Sequence, residues 1–328
     1  MTINRRQFMQ LGGAALGFAA LPGVLHAQSK YPAQPVRLIV PFTAGSTTDV
    51  IGRAVAERLE NGLNASFIVE NRPGAGGVLG ATMVARSAAD GHTVLIHSAG
   101  HLANSELYSD LQYDTLGDFT PVTRLAAMPN VVVATTTRGF KSLADMVAQA
   151  KAAPGDFTYG SSGNGSGAHI AGEKFRVAVG LDVLHVPYRG TPEAINDVIA
   201  GRIDWFFLPL ALALPMVKSG KLTALAISDS QRSPLLPDVP TTTEAGFSGV
   251  DNPFWVGMFV PSKTPEEVVK SLHAATVAAL ESEVIRTRFD KLGAQPTPMP
   301  QAEFVAQVKA EMESTSALIR QAGIRNAG

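Results

Sequence analysis

The chain has 328 residues, of which 45% are apolar and 17% charged, and its formal net charge is -1. That length suffices for two domains of ordinary size, and that composition buries a full core and excludes disorder. A near-neutral chain without a lysine–arginine block argues against nucleic acid as a partner, and the absence of cysteine excludes disulfides, thiolate metal sites and a cysteine nucleophile.

Arg5 and Arg6 precede an apolar run from Leu11 to Leu21, and small residues follow to Ala27. This is the order of an export signal, and the run is too short to span a membrane. With Phe8 and Met9 the arginine pair resembles a twin-arginine signal; an ordinary secretory signal carrying two arginines is the alternative. Residues 1–27 are expected to be removed, which leaves a protein soluble outside the cytoplasm.

Residues 36–41 (VRLIVP) read as a short buried strand. Small and hydroxyl residues follow, and Thr48–Asp49 are placed to cap a helix with apolar positions at Val50, Ile51, Ala54, Val55 and Leu59. A strand over 66–70, a glycine-rich loop over 71–77, a helix to about 87 and a strand over 92–97 complete a βαβαβ unit. The pattern then restarts. Strands are predicted over 131–135, 157–160, 183–186, 203–207 and 222–227, with helices over 142–152, 167–179, 192–200 and 211–218 between them. A proline-rich stretch over 233–240, a strand over 255–260 and two helices, 265–282 and 301–323, complete the chain. The chain leaves one α/β unit near residue 130 and returns to it near 252. The expected fold is α/β with two lobes: residues 28–130 plus 252–328 form the first, 131–251 the second, and a cleft lies between.

Two loops share one grammar, VPFTAGSTTDV (40–50) and TYGSSGNGSGAHI (158–170). Each follows a strand and precedes a helix, where open α/β sheets bind ligands. The helix start offers unpaired N–H donors and about half a positive charge, small residues admit close backbone approach, and hydroxyls add donors. Such a pair makes an uncharged cradle for a carboxylate or similar anion, without lysine or arginine. The alternative is that these hydroxyls merely cap helices.

Other patterns compete. Gly163, Gly165 and Ala168 satisfy the G-x-G-x-x-A dinucleotide fingerprint, but the acid that would take a ribose, Asp182, precedes the next strand instead of ending it. An exported NAD(P)-dependent oxidoreductase is therefore the runner-up reading. His97 and His101 stand four apart without a third ligand in register, and read as polar loop residues near the cleft rather than metal ligands. Asp204 reads as part of a buried strand, not a catalytic acid. No catalytic residue, metal or cofactor is expected.

Several segments together resemble the Bug family, the extracytoplasmic solute receptors of tripartite tricarboxylate transporters. They include VENRPGAGGVLGA (69–81), VLHVPYRGTPEAINDVIAGRID (183–204), SGKLTALAISDSQRSPLLPDVPT (219–241) and LGAQP (292–296), besides the two loops. The resemblance implies a type II periplasmic binding-protein fold, each lobe a mixed, mostly parallel sheet flanked by helices, with one small carboxylate in the cleft. It implies that Phe42, Thr43, Ala44, Gly45, Ser46, Thr47, Thr48 and Asp49 of the first loop contact the ligand. From the second loop it implies Ser161, Ser162, Asn164, Gly165, Ser166, Gly167 and His169, with Ser98 and Gly100 on the first-lobe wall. Where family members often carry a polar pair, this chain has Leu208–Pro209. That departure, with Phe206, Phe207, Phe254 and Trp255 nearby, favours a carboxylate with an apolar or aromatic body and adds Leu208 and Trp255 to the candidates. The implied partners are the carboxylate and membrane permease subunits, with a signalling partner as the alternative to a permease; the protein is expected to be a monomer.

Overall fold

The computed structural model describes residues 31–324. The export-signal reading therefore lies outside the described residues. In chain order the elements are β1 (Val36–Val40), α1 (Thr47–Leu63), β2 (Phe67–Asn71), α2 (Val78–Ala85), β3 (Thr93–Ser98), α3 (Asn104–Leu107), β4 (Phe119–Met128), β5 (Asn130–Thr135), α4 (Leu143–Ala152) and β6 (Thr158–Ser161). There follow α5 (Gly167–Val179), β7 (Leu184–Pro187), α6 (Thr191–Ile199), β8 (Trp205–Pro209), α7 (Leu210–Lys218), β9 (Leu222–Ser228), β10 (Phe254–Pro261), α8 (Glu266–Glu281), α9 (Glu283–Leu292), β11 (Gln295–Pro296) and α10 (Gln301–Ala322).

The strands form two sheets, one ordered β11-β4-β10-β3-β1-β2 and the other β7-β6-β8-β5-β9. In each sheet three neighbouring strands run parallel and are followed by helices, while the strands that carry the chain between lobes pair antiparallel. Helices cover both faces of both sheets. In the first lobe α1, α8 and α9 bury Ile51, Val55, Leu272 and Phe289 on one face, and α2 and α10 bury Val84 and Phe304 on the other. In the second lobe α4 and α5 supply Met146 and Phe175, and α6 and α7 supply Val198 and Leu214. Near-continuous burial of β1, β3, β5 and β8 follows, because a strand covered by helices on both faces has no wet side.

Only Pro129 separates β4 of the first sheet from β5 of the second, and the chain returns through Asn252 and Pro253 into β10. The two crossings are tied together by the Asn130 side-chain amide, which donates to the Asn252 carbonyl at 2.7 Å. Both links between the two sheets are therefore single short segments held side by side.

Four elements lay outside the sequence-based expectation, of which α3 is a single turn and β11 a two-residue strand. β4 is a ten-residue strand pairing β10 on one side and β11 on the other. α9 follows α8 after a single break at Ser282, which caps it by accepting from the Ile285 N–H. Asp204 is buried as expected, and its role is structural. It accepts from the Thr158 N–H at 2.7 Å, the Thr158 hydroxyl at 3.0 Å and Arg138 Nε at 2.7 Å. Arg138 is half-exposed, so the ion pair adds little; the larger cost of Asp204→Ala is an unpaired Thr158 N–H. We expect a loss of about 2 kcal/mol in chemical denaturation, and a loss under about 0.5 kcal/mol would contradict this role for Asp204.

Candidate functional site

The two loops have the same internal geometry. Gly45 and Gly165 both hold φ near +80°, a conformation that favours glycine. The next residue, Ser46 or Ser166, is the helix N-cap, and its Oγ accepts from the N–H three residues on at 3.3 Å. The residue at that third position then reaches back across the turn. Asp49 Oδ2 accepts from the Gly45 N–H at 2.9 Å, and His169 Nδ1 accepts from the Gly165 N–H at 3.0 Å. Thr48–Asp49 therefore do not cap α1: the cap is Ser46, one position before the helix starts, and Asp49 closes the loop behind it.

The Asp49 carboxylate is fully engaged in that bracing. Besides Gly45 it accepts from Asn71 Nδ2 at 2.9 Å and pairs with Arg53 at 3.0 Å, while Asn71 also holds the Phe42 carbonyl. Burial alone would raise its pKa, but the bonds from Arg53, Gly45 and Asn71 outweigh burial and leave it below the usual carboxylate range. His169 is likewise a brace. Its accepting Nδ1 requires the neutral tautomer with the proton on Nε2, and burial, helped by Arg176, lowers its pKa to about 4. Its ring stacks on His185 at 4.1 Å, and His185 Nε2 lies 2.6 Å from Ser161 Oγ. Ser161 also bonds both backbone groups of Gly163, so its hydroxyl serves its own loop.

Between the lobes lies a small chamber lined by Ser46, Thr47, Thr48, Ser98 and Ser162, with Phe42 beside them. Gly167, Ala168, Thr191, Pro209 and Phe254 complete the wall. The space open to the centre of a water molecule is ≈ 20 Å³. No lining residue is ionisable. Four helices begin at this wall: α1 at Thr47, α5 at Gly167, α6 at Thr191 and α7 just after Pro209. Their first N–H groups have no intrahelical acceptor, so the chamber gathers positive potential without a cation. Thr47 Oγ1 is buried here with no hydrogen-bond partner.

The remaining candidates divide. Ala44 and Gly45 sit on the exposed rim, and Thr43 Oγ1 donates to Glu193 Oε2 of the other lobe at 3.3 Å. Asn164, Gly165 and Gly100 lie in a contact between the lobes beside the chamber. Leu208 does not reach it: the side chain is packed in the second-lobe core, and its neighbour Pro209 is the lining residue. Trp255 also points away, packing on Phe304 and donating Nε1 to Glu311 at 2.7 Å, while Phe254 lines the chamber. Successive strand residues face opposite sides, so both misplacements are one-residue parity errors. Phe206 and Phe207 are core. Thr191, Pro209 and Ala168 were not anticipated; a signal for the first was the helix-opening Gly190-Thr191-Pro192 after β7.

The competing patterns resolve in the same geometry. His97 is in β3 and His101 in the short helical turn Ala99–Ala103; both are fully buried in the first-lobe core, where the His97 ring packs edge-on against the chamber residue Phe42 at 5.3 Å. His101 is enclosed by Tyr113, Phe119 and Phe259. Among the described residues no group of three histidine, aspartate or glutamate side chains is placed to hold a metal. Asp182 is exposed before the start of β7, at the sheet end away from Gly163 and Gly165.

A two-lobed fold with helix N-termini converging on a cleft defines a solute-binding protein. A family model described as "Tripartite tricarboxylate transporter family receptor" matches residues 51–324. The chain belongs to that family, which comprises solute-binding receptors and is not a family of enzymes. It is 30% identical to the periplasmic binding protein BugD, with a TM-score of 0.86, covering 90% of this chain and 100% of that one. An R. palustris protein solved with adipate is 34% identical with a TM-score of 0.86, covering 90% of this chain and 99% of that one. MatC from Rhodopseudomonas palustris, solved with bound malate, is 32% identical with a TM-score of 0.84, covering 88% of this chain and 100% of that one.

Proposed function

We propose that this protein is a periplasmic receptor that captures one small carboxylate and delivers it to the membrane permease subunits of a tripartite tricarboxylate transporter. The observation that carries this reading is the chamber itself. Four helix N-termini, a row of hydroxyls and an unpartnered Thr47 Oγ1 meet there, with no ionisable side chain. An anion gains donors at that wall, whereas an ammonium group finds no acid. Adipate and malate in two relatives of the same fold are anions of this class.

The lobes of this reading are residues 28–130 with 252–328, and 131–251. The contacts are Phe42, Ser46 to Thr48, Ser98, Ser162, Gly167 and the added Thr191 and Phe254, with Asp49 and His169 acting through the loops they brace. The ligand's body faces Phe42, Ala168, Pro209 and Phe254, which favours an apolar one. The protein is non-catalytic in this reading, because the chamber hydroxyls have no imidazole or carboxylate beside them to act as base. It acts as a monomer after export under the Arg5–Arg6 signal. Among the described residues no helix is long and apolar enough to cross a membrane.

A thermal-shift screen of the mature protein against aliphatic and aromatic mono-, di- and tricarboxylates, amino acids and NAD(P) tests this directly. We expect a selective rise with one carboxylate class, equivalent to about 2.7 kcal/mol at a hundredfold excess over Kd. A response to NAD(P) alone would overturn the reading in favour of an exported oxidoreductase, and tighter binding of glutamate than of any apolar-bodied carboxylate would defeat the assignment of the ligand body.

A further inference from the structure

The glycines of the ENRPGAGG segment play no part in the chamber, yet one of them, Gly76, meets the second loop across the cleft. Gly76 is buried with φ +60°, and a Cβ there would lie 1.7 Å from the Asn164 carbonyl oxygen. From the other side, a Cβ on Gly163 would lie 3.2 Å from the Gly76 nitrogen. A Cβ on Gly100 would lie 2.5 Å from the Gly165 oxygen and 2.9 Å from the Gly167 nitrogen. Tyr108 donates its hydroxyl to the same Asn164 carbonyl at 3.3 Å, and a Cβ on Gly165 would meet Asn104 Oδ1 at 2.7 Å and Leu107 at 3.0 Å.

Residues 163–167 thus sit backbone-first in a slot of the first lobe. The slot is walled by Gly76, Gly100, Asn104 and Tyr108, and none of these four lines the chamber. Gly167, at one end of the seated segment, and Ser162, just before the other, do line it. Seating the loop and enclosing the anion are therefore one movement.

We propose that Gly76 and Gly100 are positioning residues for ligand capture: they form the seat into which the second loop docks when the lobes close, and they set affinity without touching the carboxylate. The proposal rests on the receptor reading above. A binding-competent closed form that is less populated lowers the apparent affinity by the same factor. A side chain at either seat removes backbone contact between lobes and lowers that population. Gly100→Ala is the cleaner variant, because Gly100 does not have a positive φ and its added Cβ meets only the opposite lobe's backbone. Gly74→Ala is the control in the same turn as Gly76: its φ is +141°, and its Cβ would meet only Leu79 of its own lobe.

The experiment measures melting temperature and small-angle scattering for wild type, Gly76→Ala, Gly100→Ala and Gly74→Ala, with and without a pool of malate, adipate and benzoate. The expected result is that Gly100→Ala melts as wild type does without the pool but loses the pool-induced rise, with binding weaker by about tenfold or more. Gly76→Ala should lose the rise as well. Gly74→Ala should melt lower in both conditions and keep its rise. Equal rises in all four proteins overturn the seat, as does a Gly100→Ala whose only defect is a lower melting temperature without the pool. If wild type does not respond to the pool, the carboxylate reading fails for these acids, and scattering alone decides the seat. Wild type more compact than both seat variants supports it, and equal radii of gyration overturn it. Should a glycine variant fail to fold, Tyr108→Phe decides, with release about fivefold faster expected and unchanged release contradicting the proposal.

Discussion

Stability should fall steeply as pH drops from about 6.5 to 4.5, above the range in which the carboxylates titrate. Burial holds four imidazoles neutral. His169 is lowered to about 4, His97 and His185 to about 3, and His101 lies well below its ordinary value with His97 adding to burial. In the unfolded chain each titrates near 6.5. Between the folded and unfolded values the unfolded state binds more protons, so stability rises with pH through that window and is lost as pH falls. Each group contributes up to about 1.4 kcal/mol per pH unit, so four together give a slope of about 5 kcal/mol per unit near pH 5. Charging also pits neighbours against each other, since the His169 and His185 rings stack at 4.1 Å and the His97 and His101 rings lie 5.0 Å apart. The paired carboxylates act lower. Glu70, held at about 2 chiefly by the Arg37 hydrogen bond, loses its contribution only below about 4.3. Urea midpoints at half-unit pH intervals check this, and a flat profile between 6.5 and 4.5 would contradict four buried neutral imidazoles. His101→Leu should flatten the slope by about a quarter, because neither nitrogen of His101 has a hydrogen-bond partner.

The parts of the fold that were legible in the sequence are those where one local rule dominates. β1, β3 and β5 are β-branched runs buried on both faces, and the turns that follow β1 and β6 announce themselves by glycine, serine and threonine. β4 was illegible because its residues serve tertiary neighbours. Its register against β10 shifts twice, and Arg124 within it reaches Thr297 and Gln307, which breaks the alternation a strand would show. α9 was missed although Ile285, Phe289 and Leu292 have helical spacing, because charged residues between them make its polar face dominate the window.

The site divides the same way. The two strand-to-helix loops were visible as a matched pair, yet sequence spacing does not reveal which other strand ends converge with them. The parallel pairing of β6 with β7 and β8 brings Thr191 and Pro209 to the same wall as Gly167, and that is a property of topology. Leu208 and Trp255 failed for the smallest possible reason, a single step along a strand. The bracing roles of Asp49 and His169 were hidden because an acid and an imidazole have no common chemistry except one: each presents an acceptor four residues after a glycine N–H.

That shared role yields the sharpest expectation for binding. Asp49→Ala and His169→Ala should each release one loop, and each should weaken carboxylate binding by about 10- to 100-fold, although neither side chain lines the chamber. Asp49→Ala leaves the Gly45 N–H and the Asn71 amide unpaired, at about 1–3 kcal/mol each, while half-exposed Arg53 is rehydrated at little cost. His169→Ala strands the Gly165 N–H and opens a gap against His185. The conservative replacements separate bracing from charge. Asp49→Asn keeps an oxygen for Gly45 but loses the ion pair, so it should recover most of the affinity if the loop brace matters. If the ion pair with Arg53 carries the brace, Asp49→Asn should fail as badly as alanine. An electrostatic role has the opposite sign for an anionic ligand: removing a carboxylate near the chamber would then tighten binding. Calorimetry on the three variants with the carboxylate selected by the screen distinguishes these outcomes, and tighter binding by Asp49→Ala would refute the brace.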